Sequence, residues 1–90
     1  MANIPSAVVV APEAPTLLDV ADAKTRFRIR NSTGGDLFVR LAAADPTPQQ
    51  GGYDFAIPAG LSYFSDLNEY AGEIRCWSRL GGTVNYSKDV

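Results

Sequence analysis

The sequence predicts an all-β protein: an antiparallel β-sandwich or jelly roll of about seven short strands, preceded by an extended N-terminal arm. Short runs of alternating apolar and polar residues follow one another from Lys24 onward, and clusters of Gly, Pro, Asn and Ser separate them. No segment has the length and 3.6-residue period of an amphipathic helix. A chain of 90 residues supports a single core. We therefore expect residues 24–90 to form the sandwich and residues 1–23 to form the arm.

The predicted arm contains three prolines and no lysine or arginine. Proline lacks an amide donor and disfavours helix in the preceding residue, so this stretch should be extended. Its two apolar pieces, at residues 7–10 and 16–20, could each add an edge strand, either to the same subunit or to a neighbour. In the second case, the residues expected to contact the partner are Ile4, Val8, Val9 and Val10.

Residues 24–31 alternate with period two, which predicts a strand with Phe27 and Ile29 in the core and cations on the opposite face. The expected members of this cationic face are Lys24, Arg26, Arg28 and Arg30, with Arg40 added from the next strand. Two interpretations stay open. Glu69, Glu73 or aspartates of the same chain neutralise a solvated face, or an acidic partner docks on Arg26, Arg28 and Arg30.

Three pairs of strands are predicted to form hairpins, because turn residues separate the members of each pair. The turn at residues 31–36 would join the cationic strand to a strand over residues 37–41, with Leu37 and Val39 in the core. Pro58-Ala59-Gly60 would join residues 53–57 to residues 61–64. Leu80-Gly81-Gly82 would join residues 73–78 to residues 83–87.

A loop over residues 42–52 contains two prolines, two glutamines and two glycines, and has the length at which loops often carry binding residues. Tyr53, Tyr63 and Trp77 provide a second candidate site. Aromatic rings on the outward phase of a strand can stack on sugars or anchor an interface, whereas rings on the inward phase belong to the core. The alternation alone leaves both options open.

The residues that most enzymes use are missing or unsupported. The chain has no histidine, and its single cysteine, Cys76, lies in an apolar strand pattern that predicts a core thiol. Asp66 and Glu69 are close in sequence but are expected to cap a short turn. The acidic residues lack calcium-loop spacing, and the glycine pairs lack the lysine of a phosphate loop. We expect no catalytic residue, no cofactor and no metal.

The formal net charge of −2 gives no general attraction to nucleic acid. The apolar run at residues 7–11 is too short to cross a bilayer, and no basic segment precedes it. We therefore expect no nucleic-acid partner, no membrane anchor and no export signal. We expect the protein to be made in the cytoplasm.

The order of several motifs resembles that of small β-sandwich structural proteins of tailed bacteriophages. The resemblance covers about residues 24–90 and is carried by Arg26-x-Arg28-Ile29-x-Asn31-Ser32, Leu37-Phe38-Val39-Arg40, Ile57-Pro58-Ala59-Gly60, Gly72-Glu73-Ile74, Trp77 and Gly81-Gly82-Thr83-Val84. All of these are strand and turn motifs, which specify a fold better than a function. The long loop and the strongly basic strand depart from the usual pattern.

The resemblance implies a non-enzymatic component of the virion, made in the host cytoplasm. The expected function is capsid decoration and stabilisation by binding the capsid surface, with the major capsid protein or another virion protein as partner and the chain as a homo-oligomer. The alternative is an adaptor on the tail or fibre, or a module that binds carbohydrate or a receptor through Tyr53, Tyr63 and Trp77.

Overall fold

The computed structural model describes residues 3–65 and 70–90, which form an antiparallel sandwich of two four-stranded sheets. The predicted fold class is confirmed, with eight strands in the described part where about seven were expected. The strands are β1 (Asn3–Val10), β2 (Thr16–Asp19), β3 (Arg26–Thr33), β4 (Leu37–Arg40), β5 (Phe55–Ile57), β6 (Ser62–Phe64), β7 (Ile74–Ser78) and β8 (Gly82–Asp89). A single 3₁₀ turn, Pro48–Gln50, lies in the long loop. The expected short turn at Asp66 and Glu69 falls outside the described residues.

The strand order is that of a jelly roll. The first sheet has the order β1-β8-β3-β6 and the second the order β2-β7-β4-β5. The first strand therefore pairs with the last, the second with the seventh, the third with the sixth and the fourth with the fifth. These four antiparallel pairs follow one another like a long two-stranded ribbon. When this ribbon wraps around the core, β3 comes to lie beside β8 and β4 beside β7, which completes the two sheets.

The three predicted hairpins are wrong. β3 and β4, β5 and β6, and β7 and β8 each lie in opposite sheets, so each connecting turn carries the chain from one layer to the other. Turn residues show that the chain reverses, but they do not show whether it returns to the same sheet or crosses the core. Arg40 consequently projects from the second sheet and does not extend the cationic face of β3.

The inward-facing residues were nevertheless predicted correctly, because both sheets face one core. Phe27, Ile29, Leu37, Val39 and Cys76 are buried, as the alternation indicated. The complete buried apolar cluster comprises Val10, Leu18, Phe27, Ile29, Leu37, Val39, Ile57, Ile74, Cys76, Val84 and Tyr86. Alternation fixes which face of a strand is apolar, whichever sheet the strand joins.

The two apolar pieces of the predicted arm both lie in the sandwich of the same subunit. β1 pairs with β8 along its whole length, from Asn3 opposite Asp89 to Val10 opposite Gly82. β2 pairs with β7 and forms an edge of the second sheet. The sequence left open whether these pieces add strands to the same subunit or to a neighbour. In the structure they pair within the same subunit, and residues 3–10 are integral to the first sheet.

Candidate functional site

The outer side of the first sheet carries an exposed cationic face, formed by Arg26, Arg28 and Arg30 of β3. The alternation of β3 is complete: these arginines are exposed, while Phe27, Ile29 and Asn31, which alternate with them, are buried. Residues two apart on a strand are separated by about 6.6 Å, so the three guanidinium groups can cover a line of about 13 Å along the sheet.

Neighbouring strands supply polar and aromatic side chains to this face. Arg28 lies opposite Ser87 of β8 and Arg30 lies opposite Asn85. A shallow depression of about 250 Å³ runs between these strands and is lined by Arg28, Arg30, Asn85, Tyr86 and Ser87. Two guanidinium groups beside an amide and a hydroxyl form a set of donors suited to carboxylate oxygens.

Arg28 is also held by an aromatic contact. Its guanidinium carbon lies 5.2 Å from the ring centroid of Phe64, the residue opposite Arg28 on β6. Phe64 is 62% exposed, so the pair presents a cation and an apolar ring together at the surface. Such a combination is typical of residues that anchor protein interfaces.

Within residues 3–65 and 70–90, none of the three arginines forms an ion pair. Glu73, one of the acids that could have neutralised this face, binds Arg75 at 2.7 Å instead. Asp89 lies opposite Arg26 in the strand register, and its carboxylate accepts a hydrogen bond from the Asn3 amide at 2.9 Å. Glu69 lies outside the described residues. The cationic face therefore keeps its charge available to a partner as far as the structure describes its neighbours.

The prediction that Lys24 belongs to this face is wrong. Its side chain is 0% exposed, and its ammonium group lies 3.2 Å from Asp19 Oδ2 and 3.0 Å from Asp22 Oδ1. The ammonium also donates to the carbonyl oxygens of Asp22 (2.8 Å) and Gly72 (3.1 Å). β3 begins at Arg26, and Lys24 lies before it, in a bridge to Tyr70. The alternation in the sequence therefore begins two residues before the strand does.

Lys24 belongs to a partly buried ionic cluster, which we define as Asp19, Asp22, Lys24, Tyr86 and Lys88. The Lys88 ammonium lies 2.9 Å from Asp19 Oδ1 and 2.7 Å from Asp22 Oδ2, and the Tyr86 hydroxyl donates to Asp19 Oδ2 at 2.7 Å. Hydrogen bonds from Lys88 and Lys24 hold the pKa of Asp22 below its ordinary value, and the bond to Asp22 raises the pKa of Lys88. The two cations balance the two anions. Because Lys88 belongs to β8 and binds both aspartates, the cluster ties the β2–β3 loop to β8.

A partial signal for this cluster is present in the sequence, although the pattern alone did not predict it. Asp19, Asp22 and Lys24 are close along the chain, at a spacing that permits a local contact. Lys88 lies more than 60 residues away, and only the pairing of β3 with β8 brings it near. The closed and charge-balanced arrangement indicates a structural role.

The aromatic residues of the alternative site do not form one platform. Tyr63 faces the core from the first sheet and stacks on Phe55 with ring centroids 4.1 Å apart. Tyr53 and Trp77 both contact Phe38 on the outer side of the second sheet, at 4.9 and 5.9 Å. Trp77 is only 9% exposed, which leaves little of its ring for stacking.

A cleft does exist on the second sheet beside Phe38 and Trp77. It has a volume of about 520 Å³, and its lining includes Pro48 and Gln49 of the long loop. Its remaining lining comes from Gly35, Asp36, Arg79 and Leu80. The long loop, where the sequence predicts that binding residues could lie, therefore contributes to the lining of a cleft together with Phe38 and Trp77.

The four residues expected to bind a partner through the arm differ in accessibility. Val10 is buried in the core, and Val8 is half-buried against it. Val9 is 79% exposed and Ile4 is also exposed. While β1 stays paired with β8, only Val9 and Ile4 of this set can contact another molecule.

No group of three or more Cys, Asp or Glu side chains in the described part of the chain is arranged to hold a metal ion. Cys76 is buried in the core, and burial raises its pKa to about 12, so the thiol stays protonated at neutral pH. No helix among residues 3–65 and 70–90 has the length and apolarity to cross a membrane.

Comparison of the chain with known proteins gives no match to a protein-family model, a curated protein or a solved structure. The molecule is defined by its own features, as a small jelly-roll domain with an exposed cationic face.

Proposed function

We propose that this chain is a structural accessory protein of a phage virion, which decorates and stabilises the capsid by binding its surface through the cationic face. The observation that carries the proposal is the row formed by Arg26, Arg28 and Arg30. These three charges project from one regular strand and have no ion-pair partner among residues 3–65 and 70–90. The resemblance of the strand and turn motifs to phage structural proteins is the reason for proposing a phage virion as the particle that carries the chain.

The partner of this face is an acidic surface of the major capsid protein or of another virion protein. Guanidinium groups bind carboxylates through paired hydrogen bonds, and the rigid sheet holds them in place before binding. Phe64 beside Arg28 adds an apolar contact of the kind found at the centre of interfaces. Nucleic acid is the poorer partner, because the chain has a net charge of −2 and would repel phosphates elsewhere on its surface.

Stabilisation follows from mass action. A protein that binds the assembled shell, but not the free capsid subunits, favours the shell by the free energy of that binding. Many copies on one particle add their contributions, so a weak contact for each copy is sufficient. This mechanism needs a surface and no reaction, which agrees with a site made of strand side chains. Jelly rolls occur in both capsid and lectin domains, so the fold by itself does not choose between them.

The direct test is to measure the chain on particles. Virions are purified on density gradients from infected cultures that produce the chain, and its copy number is measured by quantitative mass spectrometry. The proposal predicts a fixed number of copies for each shell, on heads as well as on complete particles. Absence of the chain from purified particles would overturn the proposal. Presence on tails alone would favour an adaptor of the tail or fibre.

The cleft beside Phe38 supports a second candidate function, a receptor- or carbohydrate-binding module of the tail or fibre. An apolar ring flanked by Asp36, Gln49 and Arg79 combines a stacking surface with hydrogen-bonding groups, as saccharide sites do. The burial of Trp77 makes this platform small, and for that reason we rank it second. A glycan array with the purified protein tests this candidate. Glycan binding that is lost in Phe38→Ala would favour it, whereas no binding to any glycan would exclude a carbohydrate-binding function.

A further inference from the structure

β1 is the one long edge among the described strands. Each sheet has two edges, formed by β1 and β6 in the first sheet and by β2 and β5 in the second. β5 and β6 have three residues each, and β2 has four residues with a break in its register. β1 has eight residues, and its only partner among residues 3–65 and 70–90 is β8. Its other edge presents a long row of backbone amide and carbonyl groups.

This edge also lacks most of the features that prevent edge strands from pairing. Natural edge strands are usually protected by charged side chains, bulges, prolines or short length. β1 contains no charged residue, and its register with β8 is continuous over all eight residues. Pro5 removes one amide donor, but Ser6–Val10 keeps all of its amides. Val9, within this unprotected segment, is 79% exposed.

We infer that two copies of this chain pair antiparallel through β1, which joins their first sheets into one continuous eight-stranded sheet. The sequence of β1 is complementary to itself in this arrangement. Pairing about Ala7 places Ile4 opposite Val10 on the inner side and Pro5 opposite Val9 on the outer side. Pairing about Val8 places Ala7 opposite Val9 and leaves Pro5 outside the ladder. In both registers every side chain keeps its face, because the side-chain period of a strand is two.

The absence of charge favours a second copy over an unlike partner. An acidic partner would be attracted to Arg26, Arg28 and Arg30, whereas β1 has no charge with which to attract it. Two β1 strands meet without like-charge repulsion, and a two-fold contact closes on itself as a dimer. The inference therefore concerns a different surface from the proposed function and does not depend on it.

The dimer has one consequence for the proposed function. The two-fold axis stands perpendicular to the joined sheet, so both cationic faces lie on the same side. Five strand spacings separate the two copies of β3, a distance of about 24 Å. Only this consequence, bivalent binding to an acidic surface, rests on the proposed function.

Sedimentation equilibrium of the purified chain tests the inference, over a series of concentrations. We expect a species of twice the 9.6 kDa monomer mass, and its fraction should increase with concentration. Ala7→Lys and Val9→Lys place a charge on the outer side of the edge strand, where two copies would bring like charges together, and should abolish this species. The matched controls are Asn85→Lys and Thr83→Lys. Asn85 and Thr83 lie opposite Ala7 and Val9 on β8, so these substitutions place the same charge on the same side of the sheet, but one strand away from the edge. The controls should still dimerise.

Cross-linking tests the geometry without introducing charge. With a short bismaleimide, Ala7→Cys should give a covalent dimer, because the two copies of residue 7 lie within about 8 Å in either register. Asn85→Cys should not, because its two copies are about 14 Å apart across three strand spacings. Cys76 is buried and does not react in the folded protein. Circular dichroism confirms that each variant is folded.

Several results would overturn the inference. One is a single 9.6 kDa species at every concentration. Another is a dimer that survives both lysine substitutions in β1, because the contact would then lie elsewhere. A dimer that the Thr83 or Asn85 substitutions also abolish would indicate contact through the sheet face. None of these results bears on whether the chain is present on virions.

Discussion

Asn31 is a polar side chain in the core, and it connects the two sheets. It lies on the inward side of β3, where its amide donates to the carbonyl oxygens of Gly35 and Ile57, both at 2.7 Å. Its side-chain oxygen accepts a hydrogen bond from the backbone amide of Thr33 at 2.9 Å. Ile57 belongs to the opposite sheet. A buried polar group with all of its partners in place fixes one arrangement of the surrounding chain.

Asn31→Ala should lower the free energy of unfolding by about 3 kcal/mol, because the core would lose the hydrogen bonds of the Asn31 side chain to Gly35, Ile57 and Thr33. Urea denaturation followed by tryptophan fluorescence measures this change. Asn85→Ala is the matched control, since Asn85 is exposed on β8 and should change stability by less than about 0.5 kcal/mol. Equal effects of the two substitutions would contradict the role of Asn31.

Lys24 shows why a charge in the sequence does not identify a surface. Its ammonium is fully buried, and among the described residues its removal would leave Lys88 as the one cation paired with Asp19 and Asp22. Lys24→Met should therefore destabilise the fold by about 3–5 kcal/mol, as is typical when one member of a buried ionic network is lost. Arg26→Met removes the same charge from the exposed face and should cost less than about 0.5 kcal/mol. Chemical denaturation of both variants separates a buried ion from a surface ion.

At the scale of elements, the glycines of two connecting turns differ in what surrounds them. Gly81, between β7 and β8, has a φ of +70°, and a Cβ there would lie 2.7 Å from the carbonyl oxygen of Val10. This turn packs directly against the end of β1 while it carries the chain from the second sheet to the first. Gly60, between β5 and β6, has a φ of +82° but has no atom within 4 Å of a Cβ.

Gly81→Ala should cost about 3 kcal/mol, because it combines an unfavourable backbone conformation with a steric clash. Gly60→Ala should cost only about 1 kcal/mol, because the conformational term acts alone. Thermal denaturation of the two variants measures the difference. A cost at Gly60 as large as that at Gly81 would show that packing against β1 does not constrain the turn.

The strands were predictable from the sequence and their partners were not. Phe27 and Ile29 alternate with arginines, and burying the apolar face of such a strand is favourable in any sandwich. The turn at residues 31–36 appears local, yet its geometry depends on Ile57, to which Asn31 donates from the opposite sheet. The cationic face was predicted for the same reason as the core. Its boundary at Lys24 was not, because Asp19 and Lys88 become neighbours of Lys24 only after folding.

At the scale of the whole molecule, stability should be greatest between about pH 5 and pH 9. Lys88 and Lys24 hold the pKa of Asp22 below its ordinary value of 3.8, so its contribution is present above that pH and is lost as the pH falls through the folded value. Burial raises the pKa of Cys76 from 9.0 to about 12 and also raises that of Tyr86. The unfolded chain releases these protons first, so stability decreases as the pH rises above 9.0.

Urea midpoints measured across the pH range check this profile. Cys76→Ala removes the group with the lowest ordinary pKa of the alkaline set, so the alkaline loss should begin nearer pH 10, the ordinary value for Tyr86. An unchanged alkaline onset in this variant would contradict the assignment to Cys76. A midpoint independent of pH below 4 would contradict the role of Asp22.

The central claim is that the cationic face docks on an acidic surface of the virion. The most direct measurement is the occupancy of purified particles by an Arg26→Glu, Arg28→Glu and Arg30→Glu triple variant, supplied in place of the original chain during infection. Arg79→Glu, exposed at the end of β7, is the control for reversal of a charge away from this face. The account predicts loss of the triple variant from particles, with the control retained and both proteins folded. Full occupancy by the triple variant would contradict it.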